Sequence, residues 1–276
     1  MALHYAALAE HRLVIALVTR SGYDRKSGAW LLLLAARTAA LCGWLSGCLG
    51  EVARAERYTL TAIRTATAAG ARRHVATYMS DLAVSHLVAG VPQDALSLVH
   101  AARAAVRRPP PPLRAGLHIR EARALACLGE TAASAQAPER ATHTLASRTD
   151  WDPTGPLHIN VDEQWVAINS GTAWLHLGRP KKALTYFTTL LNDGPPSRTP
   201  TPPSPYTARN LLQVTDTQLA LGELDAAAHT AHRAVALVGS LPTGLAHQYR
   251  QRFAPHSTEP VVRDLIDLLA EQPAHR

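Results

Sequence analysis

An aspartate and two histidines near the end of the chain have a spacing that could hold a metal ion. Asp225, His229 and His232 stand at i, i+4 and i+7, which places them on one face of a helix. Carboxylate and imidazole groups are common metal ligands. No fourth ligand is evident, so a solvent-exposed helix face is the favoured interpretation and a metal-dependent enzyme is the weaker alternative.

Carboxylates also cluster at Asp150, Asp152, Asp162 and Glu163. Paired carboxylates can act as general acid and base, but they also suit a helix N-terminus, where the helix dipole favours negative charge. We favour the second interpretation. The sequence contains no glycine-rich phosphate loop, nucleophile elbow or CxxC pair. We therefore expect a protein that is not an enzyme and that has no metal or cofactor.

The composition predicts which elements must position these side chains. Hydrophobic residues make up 47% of the chain but aromatic residues only 5%. Alanine and leucine dominate, and both are strong helix formers, whereas a β-protein would use more β-branched and aromatic residues. An all-α fold is therefore predicted. Cys42, Cys48 and Cys127 lie in apolar helical stretches and form no CxxC pair, which indicates buried thiols in a reducing cytoplasm.

The charge of the chain is basic but dispersed. The net charge is +7 with 28 lysines and arginines. Because these residues are scattered along the sequence and do not form a basic binding surface, we expect no direct binding of nucleic acid. The N-terminus lacks the features of a signal peptide. The most apolar stretch, residues 29–45, is interrupted by Arg37 and is shorter than the roughly 20 residues of a membrane span. We expect a cytoplasmic protein that does not contact a membrane.

A repeat of about 40 residues organises most of the chain. Each copy has an apolar helical run, a glycine suited to a left-handed helix end, and a second run rich in alanine. The turn glycines are Gly50, Gly90, Gly129, Gly178 and Gly222. Small residues follow five positions later, at Ala55, Ala95, Ser134, Ala183 and Ala227. Most copies also have a small residue seven positions before the glycine, namely Gly43, Ala83, Ala122 and Gly171, with Thr215 in the last.

These positions resemble the tetratricopeptide repeat family, most closely over residues 171–187. The resemblance implies a right-handed α-solenoid of about five helical hairpins. We assign residues 1–36 to N-terminal helices, 37–256 to the repeat array and 257–276 to a C-terminal capping helix and tail. Proline-rich loops are predicted at 107–112 and 194–205, where proline cannot continue a helix.

In that family the first helix of each hairpin lines a concave groove, which implies a set of ligand-binding residues here. Arginine suits carboxylates and tryptophan supplies an apolar anchor, so an acidic peptide or protein segment is the expected ligand. The alternative that Trp44 and Trp165 fill core between repeats stays open. The implied groove residues are Arg37, Trp44, Thr77, Ser80, Arg123, Trp165, Thr172, His176, Arg209 and Asp216.

Nearly the whole chain also resembles the C-terminal half of a group of helix-turn-helix transcriptional regulators from high-G+C bacteria. The likeness lies in residues 41–45, 117–126, 162–163 and 252–255. It implies a repeat domain that senses a peptide or partner. Because this sequence begins at the repeats, we expect no DNA-binding domain in it. The leading hypothesis is a regulatory binding module, and the main alternative is a scaffold that associates with itself, as a homodimer for example.

Overall fold

The computed structural model describes residues 2–20, 22–146, 161–191 and 205–270, and every regular element within these ranges is a helix. The prediction of an all-α fold is therefore confirmed. The helices are α1 Ala2–Arg20, α2 Arg25–Cys48, α3 Val52–Ala68, α4 Arg72–Val88, α5 Pro92–Ala105, α6 Pro111–Cys127, α7 Thr131–Ala146, α8 Glu163–His176, α9 Pro180–Tyr186, α10 Thr188–Leu191, α11 Pro205–Ala220, α12 Leu224–Val238, α13 Thr243–Phe253 and α14 Pro260–Ala270.

The chain divides into two compact units. Unit 1 comprises Met1–Gly47 and Val52–Asn169, and unit 2 comprises Cys48–Glu51 and Ser170–Arg276. The predicted boundary between residues 36 and 37 falls inside α2, since the alanines and leucines around it are strong helix formers that give the helix no reason to end there. The solenoid arrangement and the tetratricopeptide assignment stay predictions.

Glycines end the helices where the sequence placed them. All five predicted turn glycines have a positive φ, between 67° and 82°, a backbone conformation that costs other residues energy. After four of them the next N–H donates to the carbonyl five residues earlier, which satisfies groups that a helix end leaves open. These bonds are Val91 to His86, Glu130 to Leu125, Arg179 to Trp174 and Glu223 to Gln218, each 2.9 Å long.

Small residues let the two helices of a hairpin approach closely. A Cβ atom added to Gly43 of α2 would lie 2.9 Å from Thr59 Oγ1 and 3.1 Å from the carbonyl oxygen of Ala55 on α3. One added to Gly171 of α8 would lie 2.8 Å from the buried ring of Phe187. The shortest distance at each glycine, 2.9 Å at Gly43 and 2.8 Å at Gly171, is too short for a real Cβ atom. At Gly43 and Gly171, seven residues before the turn glycine, the absence of a side chain is therefore a packing requirement.

The third hairpin keeps this contact although its second helix departs from the pattern. Ser134 stands where the other copies have alanine and is 1% exposed. Its hydroxyl donates to the carbonyl oxygen of Ala122 at 2.9 Å, so the buried polar atom is satisfied. Pro138 lies inside α7.

Both units have cores built from alanine and aliphatic side chains. In unit 1, Ala76, Ala83, Val99 and Leu117 belong to a cluster that α4, α5 and α6 form together. In unit 2, α14 contacts α12 and α13 and buries Val262, Leu265 and Leu269. The predicted last amphipathic helix is therefore present, and it starts at Pro260, which needs no N–H in a first turn.

Helix α2 is longer than the apolar stretch from which it was predicted. It has 24 residues, and by length and composition alone it could cross a membrane. The helix exceeds the stretch 29–45 because it begins at Arg25 and ends at Cys48, and the expectation that the protein does not contact a membrane stays a prediction. Half of the most apolar part of α2 is buried inside the protein. A core helix of the protein would pass the same test of length and composition.

The two proline-rich segments predicted as loops end in residues that begin helices. Residues 106–110 lie outside helices, but Pro111 and Pro112 form the first turn of α6. Proline fits there because the first N–H groups of a helix have no partner within the helix. The loop is thus shorter at its C-terminal end than the predicted range 107–112. Most of the predicted loop at 194–205 lies outside the described residues, and Pro205 begins α11.

The three cysteines do not share one environment. Cys42 and Cys48 are buried, but Cys127 is exposed, so the prediction of three buried thiols was wrong for Cys127, which lies at the last residue of α6. Burial raises the pKa of Cys42 and of Cys48 to about 11. Burial also raises the pKa of Cys127, but its side chain is accessible, so we expect a thiol reagent to label Cys127 in the native protein and the other two only after unfolding. Mass spectrometry of labelled peptides would check this, and equal labelling of all three would contradict it.

Candidate functional site

The structure places the ten predicted groove residues in different environments. Half of them are buried, which leaves their side chains little contact with solvent. Arg37 and His176 are exposed, and Trp44, Arg209 and Asp216 are partly buried. The buried five are Thr77, Ser80, Arg123, Trp165 and Thr172.

In unit 1 the structure brings two of the predicted residues together on α6 and α8. Arg123 Nη1 donates to Asn169 Oδ1 at 3.2 Å, and Arg120 Nη1 donates to the same oxygen at 3.1 Å. The Arg120 guanidinium lies 4.8 Å from the centre of the Trp165 ring, within range of a cation–π contact. We call Arg120, Arg123, Trp165 and Asn169 the arginine cluster.

Local structure holds the α8 side of this cluster in position. Asp162 precedes α8, and its Oδ1 accepts the backbone N–H of Trp165 at 2.8 Å, as a helix cap does. Asn169 Nδ2 donates to the backbone oxygen of Trp165 at 2.9 Å, which aims the amide oxygen at the arginines. The interpretation of Asp162 as a helix-terminal charge is therefore confirmed. Asp150 and Asp152 lie outside the described residues.

The arginine cluster concentrates positive charge away from water. Arg120 is 6% exposed and Arg123 9%, and both stay protonated at any physiological pH. Asn169 is neutral and offers one oxygen to both guanidinium groups, although each arginine has further interactions within the chain. Low local dielectric strengthens the attraction of such a pair for an anion. The chemistry suits a carboxylate held by several charged hydrogen bonds.

Sequence analysis missed Arg120 and Asn169. Arg120 stands three residues before Arg123, so the two share a face of α6, and this spacing was visible in the sequence. Asn169 stands four residues after the predicted residue Trp165, but only the distances show that it joins the arginines. Trp165 and Trp44 both pack against apolar core residues, so the core interpretation left open for them agrees with their positions.

A second group of polar side chains lies where α2 meets α4. Tyr78 is 1% exposed, and its hydroxyl has no hydrogen-bond partner among the described residues. The same holds for the buried Nε2 of His74, whose ring meets Tyr78 edge-on with centres 6.0 Å apart. Burial, aided by the charge of Arg37, lowers the pKa of His74 to about 4. The predicted residue Arg37 thus stands beside two polar atoms that a ligand could satisfy.

In unit 2 the predicted residue Asp216 has a structural partner. Arg252 Nε on α13 donates to Asp216 Oδ1 at 2.6 Å. On the same helix, Tyr249 donates its hydroxyl to the backbone oxygen of Ala208 at 2.8 Å. Burial raises the pKa of Asp216, and Arg252 counteracts that rise. Asp216 therefore ties α13 to α11.

Replacing Arg252 with methionine is expected to destabilise the protein by about 2 kcal/mol at pH 7, because the half-buried Asp216 loses its counter-charge. The pKa of Asp216 is already raised and rises further without Arg252. The folded variant then binds a proton that the unfolded chain releases above pH about 4, so its stability falls as pH rises. The loss relative to the wild type should therefore shrink between pH 7.5 and pH 5. Urea unfolding at both values tests this, with Arg250→Met as the control, and a loss independent of pH would contradict it.

The proposed metal stripe on α12 has no supporting group around it. Asp225 and His229 are exposed and His232 is partly buried. Over the described part of the chain, no three histidine, cysteine, aspartate or glutamate side chains are arranged so that they could hold a metal ion.

Comparison of the sequence with known protein families gives no match, and comparison with curated proteins gives none either.

Proposed function

We propose that this protein is a regulatory binding module of the tetratricopeptide-repeat type, which holds an acidic peptide or protein segment rather than catalysing a reaction. The ligand's carboxylate binds at the arginine cluster of unit 1. In this proposal the chain is the cytoplasmic sensor part of a protein like the transcriptional regulators it resembles.

The observation that carries the proposal is the meeting of Arg120 and Arg123 at Asn169, with the Trp165 ring beside Arg120. Two guanidinium groups can hold one carboxylate through parallel hydrogen bonds, and an indole ring gives a neighbouring apolar side chain a large contact surface. Tyr78 and His74 supply buried polar atoms for the backbone of an extended peptide. Repeated hairpins of the kind seen at five turn glycines commonly present such surfaces.

A peptide library with and without acidic residues tests this proposal. We expect the wild type to select acidic peptides, and Arg123→Gln to bind them at least tenfold more weakly, since a hydrogen bond to a charged group contributes about 1.5–3 kcal/mol. Arg57→Gln on α3, where Arg57 is exposed, is the matched control for loss of one positive charge. Selection of neutral peptides, or equal affinities of Arg123→Gln and wild type, would reject the proposal.

One observation favours self-association as a second candidate function. Large apolar side chains are exposed where α1 and α2 approach their connecting turn: Leu13 by 62%, Leu17 by 41%, Trp30 by 64% and Leu34 by 41%. Exposed apolar groups of this kind often mark a protein interface. Light scattering over a range of protein concentrations would test it. A dimer that Trp30→Glu dissociates would support the scaffold, and a monomer at all concentrations would exclude it.

A further inference from the structure

A cleft lies between α6 and α7 within unit 1, away from the arginine cluster. Its volume is about 650 Å³, within the range of pockets that hold small molecules. Positions 114 and 118 lie one helical turn apart, whereas 120 and 123 lie about half a turn around the helix from them. Helix α6 therefore presents the cleft and the arginine cluster on opposite faces. The lining residues are Arg114, His118, Glu139, Arg140, His143 and Thr144.

The charged groups of the cleft are not neutralised by one another. The Arg114 side chain has no hydrogen bond or ion pair with any described residue, and Arg140 makes only a long contact of 3.4 Å to the backbone oxygen of Ala133. Glu139, the single carboxylate of the lining, pairs with neither arginine. Two guanidinium groups thus face a solvent-accessible space with their donors available. Such groups suit the oxygens of a phosphate or carboxylate.

His118 is held in one tautomer by residues behind the cleft. Glu121 binds Arg103 through two hydrogen bonds of 2.9 and 2.7 Å, and Arg103 Nη2 lies 3.1 Å from His118 Nδ1. Arginine can only donate, so Nδ1 accepts and the neutral ring carries its proton on Nε2. Burial, with the charges of Arg103 and Arg140, lowers the pKa of His118 and keeps the ring neutral at pH 7. The ring therefore adds a hydrogen-bond donor beside the two arginines.

We propose that this cleft is a binding site for a small organic anion that carries a phosphate or carboxylate group. Arg114 and Arg140 hold the anionic oxygens, and the Nε2–H of His118 donates a third hydrogen bond. Glu139 accepts from a hydroxyl or amino group on the organic part. The cleft is much larger than a lone phosphate ion, so the ligand has a body that fills it. This site is independent of the proposed peptide site.

Isothermal titration of the full-length protein tests the cleft with three probes at constant ionic strength: adenosine 5′-monophosphate, citrate and inorganic phosphate. We expect one of the organic anions to bind at least tenfold more tightly than inorganic phosphate. Arg114→Gln and Arg140→Gln should each weaken that binding at least tenfold, while Arg57→Gln leaves it unchanged. Thermal unfolding would verify that these exposed substitutions leave the fold intact.

Three outcomes would overturn the proposal. The first is that neither organic anion binds at about 1 mM, a concentration that would detect even a weak interaction. The second is that Arg114→Gln and Arg140→Gln bind the anions with unchanged affinity. The third is equal binding of all three probes, which would indicate general attraction of anions. Preference between the phosphate ester and citrate identifies the anionic group. Because Arg114→Gln should leave peptide binding intact, failure of this site and failure of the peptide site are distinguishable.

Discussion

The Gly50→Ala variant should lose about 3 kcal/mol or more of unfolding free energy, whereas Gly90→Ala should lose only about 1–2 kcal/mol. The two glycines end equivalent helices with similar φ angles of 79° and 75°, so the left-handed backbone costs both variants the same. They differ in their neighbours. A Cβ atom on Gly50 would lie 2.5 Å from the backbone carbon of Gly244 and 2.6 Å from the backbone nitrogen of Leu245, while one on Gly90 would meet nothing within 4 Å.

Backbone atoms cannot move aside as a flexible side chain can, so Gly50→Ala must displace the start of α13 within unit 2. Gly244→Ala offers a reciprocal check, because its Cβ would lie 2.8 Å from the backbone oxygens of Leu49 and Gly50. Urea unfolding followed by circular dichroism measures all three variants. Equal losses for Gly50→Ala and Gly90→Ala would show that the close approach of the backbone at Gly50 and Gly244 does not affect the free energy of unfolding.

The Asn169→Asp variant should be more stable than the wild type and should lose affinity for acidic peptides. A carboxylate at this position would offer Arg120 and Arg123 a negatively charged acceptor in place of a neutral amide oxygen. We expect this gain to exceed the loss of the Nδ2 donation to Trp165 and to add about 1 kcal/mol of stability. The same negative charge would occupy the place of the ligand's carboxylate. We expect binding to weaken at least tenfold, as measured by titration with the best acidic peptide from the library.

Asn169→Leu is the matched control because it has a similar size and no acceptor. It leaves two buried guanidinium groups without their shared oxygen and should cost about 2–3 kcal/mol of stability. Binding that survives in Asn169→Asp would place the ligand elsewhere. A higher melting temperature in Asn169→Leu than in Asn169→Asp would contradict the electrostatic account of the cluster.

Local rules made the helix ends predictable from the sequence. A glycine that follows an apolar run takes the left-handed conformation, and this held at all five predicted turns. Gly70 and Gly239 have the same conformation but were not predicted, because the repeat pattern places one turn glycine in each hairpin. Both follow the second helix of a hairpin, Gly70 after α3 in the first and Gly239 after α12 in the last.

Contacts between distant parts of the chain were not predictable in the same way. Asp216 was assigned to a ligand site because its spacing suited a groove, but Arg252 lies 36 residues further along and meets it in the fold. The pairing of Arg123 with Asn169 spans 46 residues. Helical periodicity identifies the face on which a side chain lies, but it does not identify which other helix packs against that face.

A double-mutant cycle tests the central claim most directly. It compares the wild type and Arg123→Gln, each titrated with the best acidic peptide and with the same peptide in which its key aspartate is replaced by asparagine. If the arginine cluster binds that carboxylate, the two changes should be coupled by about 1.5 kcal/mol or more. Additive effects with no coupling would contradict the claim that the arginine cluster holds the ligand.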